Sequence, residues 1–139
     1  MADETSRVAR YLFDTLNGDV ELMSMAAGVF EAPAPEGCSF PLVCFSLLSA
    51  MDTTTGDTLQ RIFSHQVWTV FAVVEDVSFS SAVPIIDRVD ALLEGSAGEA
   101  DGAVIYKVSR EGSVRLVEEI EGKQYRHLGG EYRILAQLI

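Results

Sequence analysis

Two histidines and two cysteines are the side chains best able to do chemistry in this sequence. His65 follows Ser64, and a serine beside a histidine suggests a nucleophile with its general base. The surrounding segment predicts a strand, in which neighbouring side chains point to opposite faces, so this pair cannot share a proton. No Gly-x-Ser-x-Gly nucleophile elbow is present either. His127, next to Arg126, is more typical of an interface or hydrogen-bonding residue.

The two cysteines, Cys38 and Cys44, are too few to form a zinc site, which needs four ligands. Cys44 lies in an apolar segment and is predicted to be a small core residue. A disulfide is not expected in a chain of cytoplasmic origin. The pair therefore predicts neither a metal centre nor a redox centre.

A group of carboxylates, Glu111, Glu118, Glu119 and Glu121, could in principle support acid–base chemistry or bind a cation. These residues lie at a predicted strand end beside a turn, where solvated carboxylates are usual, and they lack the spacing of a calcium loop. The glycine pair at 129–130 belongs to no phosphate-binding motif. We therefore expect no cofactor, no metal and no enzymatic activity.

Charge and composition exclude further classes of function. The 139 residues carry 10 basic and 21 acidic side chains, a net charge of −11, with no cluster of Lys and Arg to neutralise phosphates. The longest apolar stretch, 67–74, is far too short to cross a bilayer. The polar, acidic segment 1–6 does not resemble a signal peptide, which predicts a cytoplasmic origin. Neither nucleic-acid binding nor membrane insertion is expected.

The elements that would position these residues begin with two helices within about 5–27. Val8, Leu12 and Leu16 are spaced for one buried helical stripe, and Asp19 is suited to cap the second helix. Residues 28–139 predict the sheet and one major helix. In order, they are an extended piece at 29–30, a Pro-rich loop at 32–37, strands at 40–50 and 59–74, the helix at 78–93, a turn at 94–102, strands at 104–108 and 114–120, and a last strand at 125–138.

Turns of the hairpin type dominate this order, which favours an antiparallel sheet. A polar loop is predicted at 51–58, a hairpin turn at Glu121-Gly122, and a β-bulge at Gly129-Gly130. Trp68 is predicted to be in the core. The sequence thus predicts one α+β domain over 1–139, with a mainly antiparallel or mixed sheet of four to five strands and two to three helices packed on one face.

Several segments taken in order resemble the tail-terminator (tail-completion, or tail-to-head joining) proteins of phages with long non-contractile tails. They follow the N-terminal helix pair and cover most of the chain. The segments are Gly28-Val29-Phe30, Ala34-Pro35-Glu36-Gly37, Phe40-Pro41-Leu42-Val43-Cys44-Phe45, the polar Thr-Gly loop, His65-Gln66-Val67-Trp68, Ile86-Asp87-Arg88-Val89-Asp90-Ala91-Leu92-Leu93, Tyr125-Arg126-His127, Gly129-Gly130 and Tyr132-Arg133-Ile134-Leu135-Ala136. The run at 70–74 is more apolar than the family pattern.

The resemblance implies a hexameric ring in the neck of the virion that caps the tail tube and joins it to the head–tail connector. Its partners would be further copies of itself, the tail tube protein and the connector or head-closure protein. DNA would pass through the lumen without specific binding, and acidic walls would repel it. A lumen lined by Arg115, Arg126 and Arg133 would contradict that last expectation.

Ring contacts join two different surfaces of one subunit, and we expect two loops to supply them. The predicted interface residues are Pro33, Pro35, Glu36, Asp52, Thr53, Thr54, Thr55, Gly56 and Asp57. Deleting 53–55 is expected to spare folding and to abolish ring formation or head–tail joining.

Two alternatives share these features. Another neck component, such as a head-closure protein, has the same small acidic α/β character. A small cytoplasmic enzyme or ligand-binding domain would instead require a deep pocket with converging polar groups near His65 or His127.

Overall fold

The computed structural model describes residues 4–54 and 61–138, and these form three helices and one six-stranded sheet. In chain order the elements are α1 (Glu4–Asn17), α2 (Val20–Met25), β1 (Val29–Glu31), β2 (Leu42–Thr54), β3 (Arg61–Glu75), α3 (Val83–Leu93), β4 (Gly98–Ala100), β5 (Ala103–Ile120) and β6 (Lys123–Leu138). No helix within these ranges is long and apolar enough to cross a membrane.

The sheet has the order β1-β2-β3-β6-β5-β4, in which only the β1–β2 pair is parallel. The predicted α+β class with a mainly antiparallel, mixed sheet is therefore confirmed. Its six strands exceed the predicted four to five. The sequence missed β4, because its three residues, Gly98–Ala100, include no β-branched or aromatic side chain.

The helices cover one face of the sheet and form the main core with it. Val8, Leu12 and Leu16 of α1 are fully buried, as their spacing predicts. From the sheet, Trp68 and Tyr132 are the largest fully buried side chains of this core. A further contribution comes from α3, whose buried residues are Ile85, Val89 and Leu93. This layer is the part of the molecule that burial of apolar surface stabilises most.

A charged clasp at the surface ties the short α2 to α3. The carboxylate of Asp19 caps α2 by accepting from the Leu22 amide at 2.8 Å. It also accepts from Arg88 Nε at 2.9 Å and Arg88 Nη2 at 2.8 Å. These bonds to Arg88 and Leu22 lower the pKa of Asp19 to about 2. The predicted cap is therefore confirmed, and it is shared with a distant helix.

Two boundaries differ from the predictions. The major helix begins at Val83 instead of 78, because Pro84 fits only the first helical turn and the preceding residues form hydrogen-bonded turns. The two strands predicted at 104–108 and 114–120 are one strand, β5, whose ladder with β6 runs from Ala103 to Ile120. Two register shifts in that ladder let it continue through Gly112.

The β-bulge predicted at Gly129-Gly130 is wrong. The register of β6 with β3 is continuous through both glycines, and the irregularities lie on β5 between Arg110 and Gly112 and between Ile105 and Lys107. Gly129 is required for another reason: a Cβ there would lie 2.0 Å from Val70 O and 2.5 Å from Phe71 Cα. The glycine allows β3 and β6 to approach closely.

Candidate functional site

The first predicted interface segment, which contains Pro33, Pro35 and Glu36, is a loop between β1 and β2, as expected. It folds against the face of the sheet that carries no helix. Ala32, Ala34 and Cys38 of this segment pack on a small cluster formed by Leu42, Cys44 and Val73. The loop is therefore part of the folded subunit, held by its own apolar contacts.

An open groove of about 660 Å³ lies between this loop and the sheet. Its wall is mostly apolar, and its titratable groups include Glu118 and His127. A hydrogen bond of 2.7 Å joins His127 Nε2 to Glu118 Oε1, and the His127 ring lies 5.3 Å from the Phe71 ring. His127 thus has the hydrogen-bonding role that its sequence context indicated.

The described part of the second predicted interface segment is strand, which corrects the predicted loop at 51–54. Asp52, Thr53 and Thr54 belong to β2 and pair with Ser64, Phe63 and Arg61 of β3. Thr55, Gly56 and Asp57 lie outside the described residues. The polar composition was misleading because residues 51–53 of β2 are exposed, so this part of the strand needs no apolar side chains. Threonine also has a high intrinsic preference for strands.

Ser64 and His65 lie on opposite faces of β3, as predicted. Ser64 Oγ accepts from Gln66 Nε2 at 3.0 Å, and Gln66 Oε1 accepts from Trp68 Nε1 at 2.8 Å. His65 Nε2 instead meets Thr53 Oγ1 at 3.1 Å on the other face. The buried row of Ser64, Gln66 and Trp68 was not predicted, although its spacing of two residues places all three on one face of a strand.

The cysteines are both free thiols, Cys38 half-buried and Cys44 buried. Burial, with a smaller contribution from neighbouring Cys38, raises the pKa of Cys44 to about 11. Cys44 is therefore a protonated, unreactive core side chain at neutral pH. Within residues 4–54 and 61–138, no group of three or more His, Cys, Asp or Glu side chains is arranged to hold a metal ion.

Three arginines in the second half of the chain are engaged within the subunit. The Arg115 guanidinium lies 4.4 Å from the centre of the Phe79 ring, and that of Arg126 lies 5.0 Å from it. Arg133 is hydrogen-bonded to Glu111. Phe79 therefore brings Arg115 and Arg126 together, whereas Arg133 is paired with a carboxylate.

The edges of the sheet were not predicted. β1 pairs with only three residues of β2, Val43 to Phe45, and β4 pairs with only Ala103 to Ile105 of β5. Within the described residues, no strand is paired to the outer side of β2 beyond Phe45 or to that of β5 beyond Arg110. The unequal lengths of the strands could have indicated this only if the pairing order had been known.

The likeness to known proteins lies in the fold. No protein-family model matches the chain, and no curated protein matches it. The fold is similar to that of a chain in the solved structure of the virion of a native gene transfer agent (GTA) particle. The two share 15% sequence identity with a TM-score of 0.65, over 89% of this chain and 91% of the other. At this identity the comparison establishes a shared fold across nearly the whole length of both chains.

Proposed function

We propose that this chain is a structural protein of a phage-like virion that assembles with other virion proteins. The observation that carries the proposal is the fold it shares, along nearly its full length, with a chain of a gene transfer agent virion. Within the described residues, the geometry adds no constellation suited to catalysis. Ser64 and His65 lie apart, and the Cys44 thiol is protonated at neutral pH.

The finer proposal is a tail terminator: a hexameric ring that caps the tail tube and docks on the head–tail connector. Its support is the order of motifs that resembles this family, together with the virion origin of the similar fold. The partners of the ring would be the tail tube protein on one side and the connector or head-closure protein on the other. The subunit would then reside at the neck of the virion.

The net charge of −11 suits a ring through which DNA must pass. Carboxylates lining a lumen would repel the DNA backbone and keep it from binding. A lumen lined by Arg115, Arg126 and Arg133 would contradict this part of the proposal; Arg133 is paired with the carboxylate of Glu111, whereas Arg115 and Arg126 lie on the Phe79 ring and keep their charge.

A strain that produces the particle without this protein tests the proposal. A tube without its cap has nothing to stop its growth, so we expect tails of excess length and no joined heads in electron micrographs. If the protein is instead a head-closure protein, the same deletion should leave unjoined tails of normal length. That result would refute the terminator role but retain a structural role in the virion. Normal joined particles would contradict both, and re-supplied wild-type protein is the control.

One observation favours a second function, ligand binding. The apolar groove of about 660 Å³ beside His127 and Glu118 has the size of a small-molecule site, although these two side chains are bonded to each other. A thermal-shift screen tests it: a ligand that strongly stabilises the wild-type protein and loses its effect on His127→Ala would support this function. A screen without stabilising compounds would count against it.

A further inference from the structure

The two lateral edges of the sheet carry long stretches of strand that no other described strand of the subunit pairs with. On one side, β1 pairs with β2 only as far as Phe45, so the edge from 46 to 51 has no partner strand among the described residues. On the other side, the 94–96 segment covers the edge of β5 up to Arg110, and within 4–54 and 61–138 no strand pairs with this edge from there to Ile120. Uncovered edges of this kind are templates for pairing with another chain.

The backbone groups on these edges point outward at regular positions. Phe45 O accepts from Ala32 N, so the backbone groups of Phe45 point to the outer side of β2. Backbone groups alternate between the two sides of a strand, and the register shift between Leu47 and Ser49 adds one residue to the count. The amide of Ala50 is therefore directed outward as well. On β5, the two-residue turn at Glu121-Gly122 makes Ile120 and Lys123 a bonded pair. The same alternation then directs the amide of Val117 outward.

Each edge also exposes apolar side chains. Leu48 and Met51 on β2 are 59% and 73% exposed, and Leu116, Val117 and Ile120 on β5 are 47–52% exposed. Apolar side chains beside unpaired strand backbone are what a strand-to-strand interface buries. The two edges therefore share both features of an interface.

The geometry points to one occupant for both edges: a second copy of this chain, with the 46–51 edge of β2 in one copy paired to the 111–120 edge of β5 in the next. β2 and β5 run in opposite directions within the sheet, since each of the three pairings between them is antiparallel. Copies in one orientation therefore present antiparallel edges to each other. The contact joins different surfaces of the two copies, as a ring requires.

The two edges lie at different levels along the strands. Ala50 pairs with Gln66, which in turn pairs with Ile134 of β6. Val117 pairs with Arg126 of β6, eight residues before Ile134. Pairing the two edges displaces each copy by about 27 Å along the strands, at roughly 3.4 Å per residue. Tilted strands accommodate such a stagger when a sheet closes on itself. The inference deepens the proposed function, since it names the contact by which the ring forms.

Two proline variants of the full chain test the pairing. Ala50→Pro and Val117→Pro each remove one outward amide without removing a hydrogen bond of the subunit's own ladder. Analytical ultracentrifugation of the wild-type chain should show an oligomer, and each variant alone should be a monomer. An equimolar mixture of the two should give a dimer and nothing larger, because only one pair of intact edges is left. Ala50→Thr and Val117→Thr keep the amide and should assemble like the wild type.

Other outcomes overturn the inference. A wild-type chain that stays monomeric, a proline variant that assembles normally, or a single variant that dimerises with itself would each exclude head-to-tail edge pairing. Far-ultraviolet circular dichroism and thermal unfolding check that the variants fold. If a proline variant does not fold, Leu48→Glu and Val117→Glu place a carboxylate at the same two edges and are expected to reproduce the mixing result. If edge pairing is excluded but the deletion strain has overlong tails, the proposed tail-terminator function is retained and the ring must form through another interface.

Discussion

The centre of the sheet and its two lateral edges place similar residues in opposite surroundings. Under the helices, Trp68 and Tyr132 are 1% exposed, and each directs its polar atom to a partner: Trp68 to Gln66, and Tyr132 to Asp90. Along the edges, Leu48 and Val117 lie in strands of the same sheet and remain exposed. Folding buries the first group almost completely, whereas it leaves about half of the surface of the second group exposed.

Truncation in the centre should have the largest effect on stability. Trp68→Ala removes a buried ring and leaves the carbonyl oxygen of Gln66 without its donor, so we expect a loss of about 3–5 kcal/mol in the free energy of unfolding. Urea denaturation followed by circular dichroism measures it. Leu48→Ala, at the edge, should change that free energy by less than about 0.5 kcal/mol. Equal losses would erase the distinction between the two regions.

Two glycines in neighbouring strands, Gly129 and Gly112, sharpen the comparison without changing any polar side chain. Gly129→Ala places a Cβ 2.0 Å from Val70 O, and forcing β3 and β6 apart should cost about 1–3 kcal/mol of unfolding free energy. Gly112→Ala, in the neighbouring strand, meets nothing within 4 Å. It should be neutral or slightly stabilising in the same denaturation experiment, because alanine restricts the unfolded chain.

Two tyrosine hydroxyls test the contrast at the level of one hydrogen bond. The buried Tyr132 donates to Asp90 Oδ1 at 2.8 Å, and burial together with this carboxylate raises the pKa of Tyr132. Tyr132→Phe should therefore cost about 1 kcal/mol of stability. The exposed Tyr106 donates to Gln137 at 2.6 Å, and Tyr106→Phe should cost less than about 0.5 kcal/mol because water replaces the partner. A larger loss for Tyr106→Phe would contradict the account.

The smallest effect concerns the Asp19–Arg88 clasp and depends on pH. Bonds to Arg88 and Leu22 lower the pKa of Asp19 to about 2, below the value of about 3.9 in an unfolded chain. The clasp therefore adds stability above about pH 4, and this contribution is lost as the pH falls towards 2. Asp19→Asn should lower the melting temperature at pH 7 and converge with the wild type near pH 2. Asparagine can still cap α2, so a difference that persists at pH 2 would contradict the assignment of the effect to the ionised carboxylate.

Sequence patterns predicted the features that depend only on residues close together in the chain. The spacing of Val8, Leu12 and Leu16 specifies a helical stripe wherever the helix packs, and Asp19 is a cap by its chemistry alone. Trp68 was predicted to be in the core for similar reasons. The opposite faces of Ser64 and His65 follow from strand geometry and needed no tertiary information.

What the sequence could not predict depends on strand pairing. Asp52 and Thr53 have the composition of a loop, and only their partners on β3 make them strand. The need for Gly129 arises from the closeness of Val70, a residue far away in the chain. The open edges depend on which strands end early, since β1 covers three residues of β2 and β4 three of β5. The predicted interface segments stay a prediction.

The most direct measurement of the central claim is electron microscopy of purified wild-type protein added to isolated tail tubes of its own particle. The account predicts a ring of six copies at one end of each tube, formed by wild-type protein and absent with Val117→Pro. Bare tube ends, or protein bound along the sides of the tubes, would contradict the claim that this chain is a self-assembling cap.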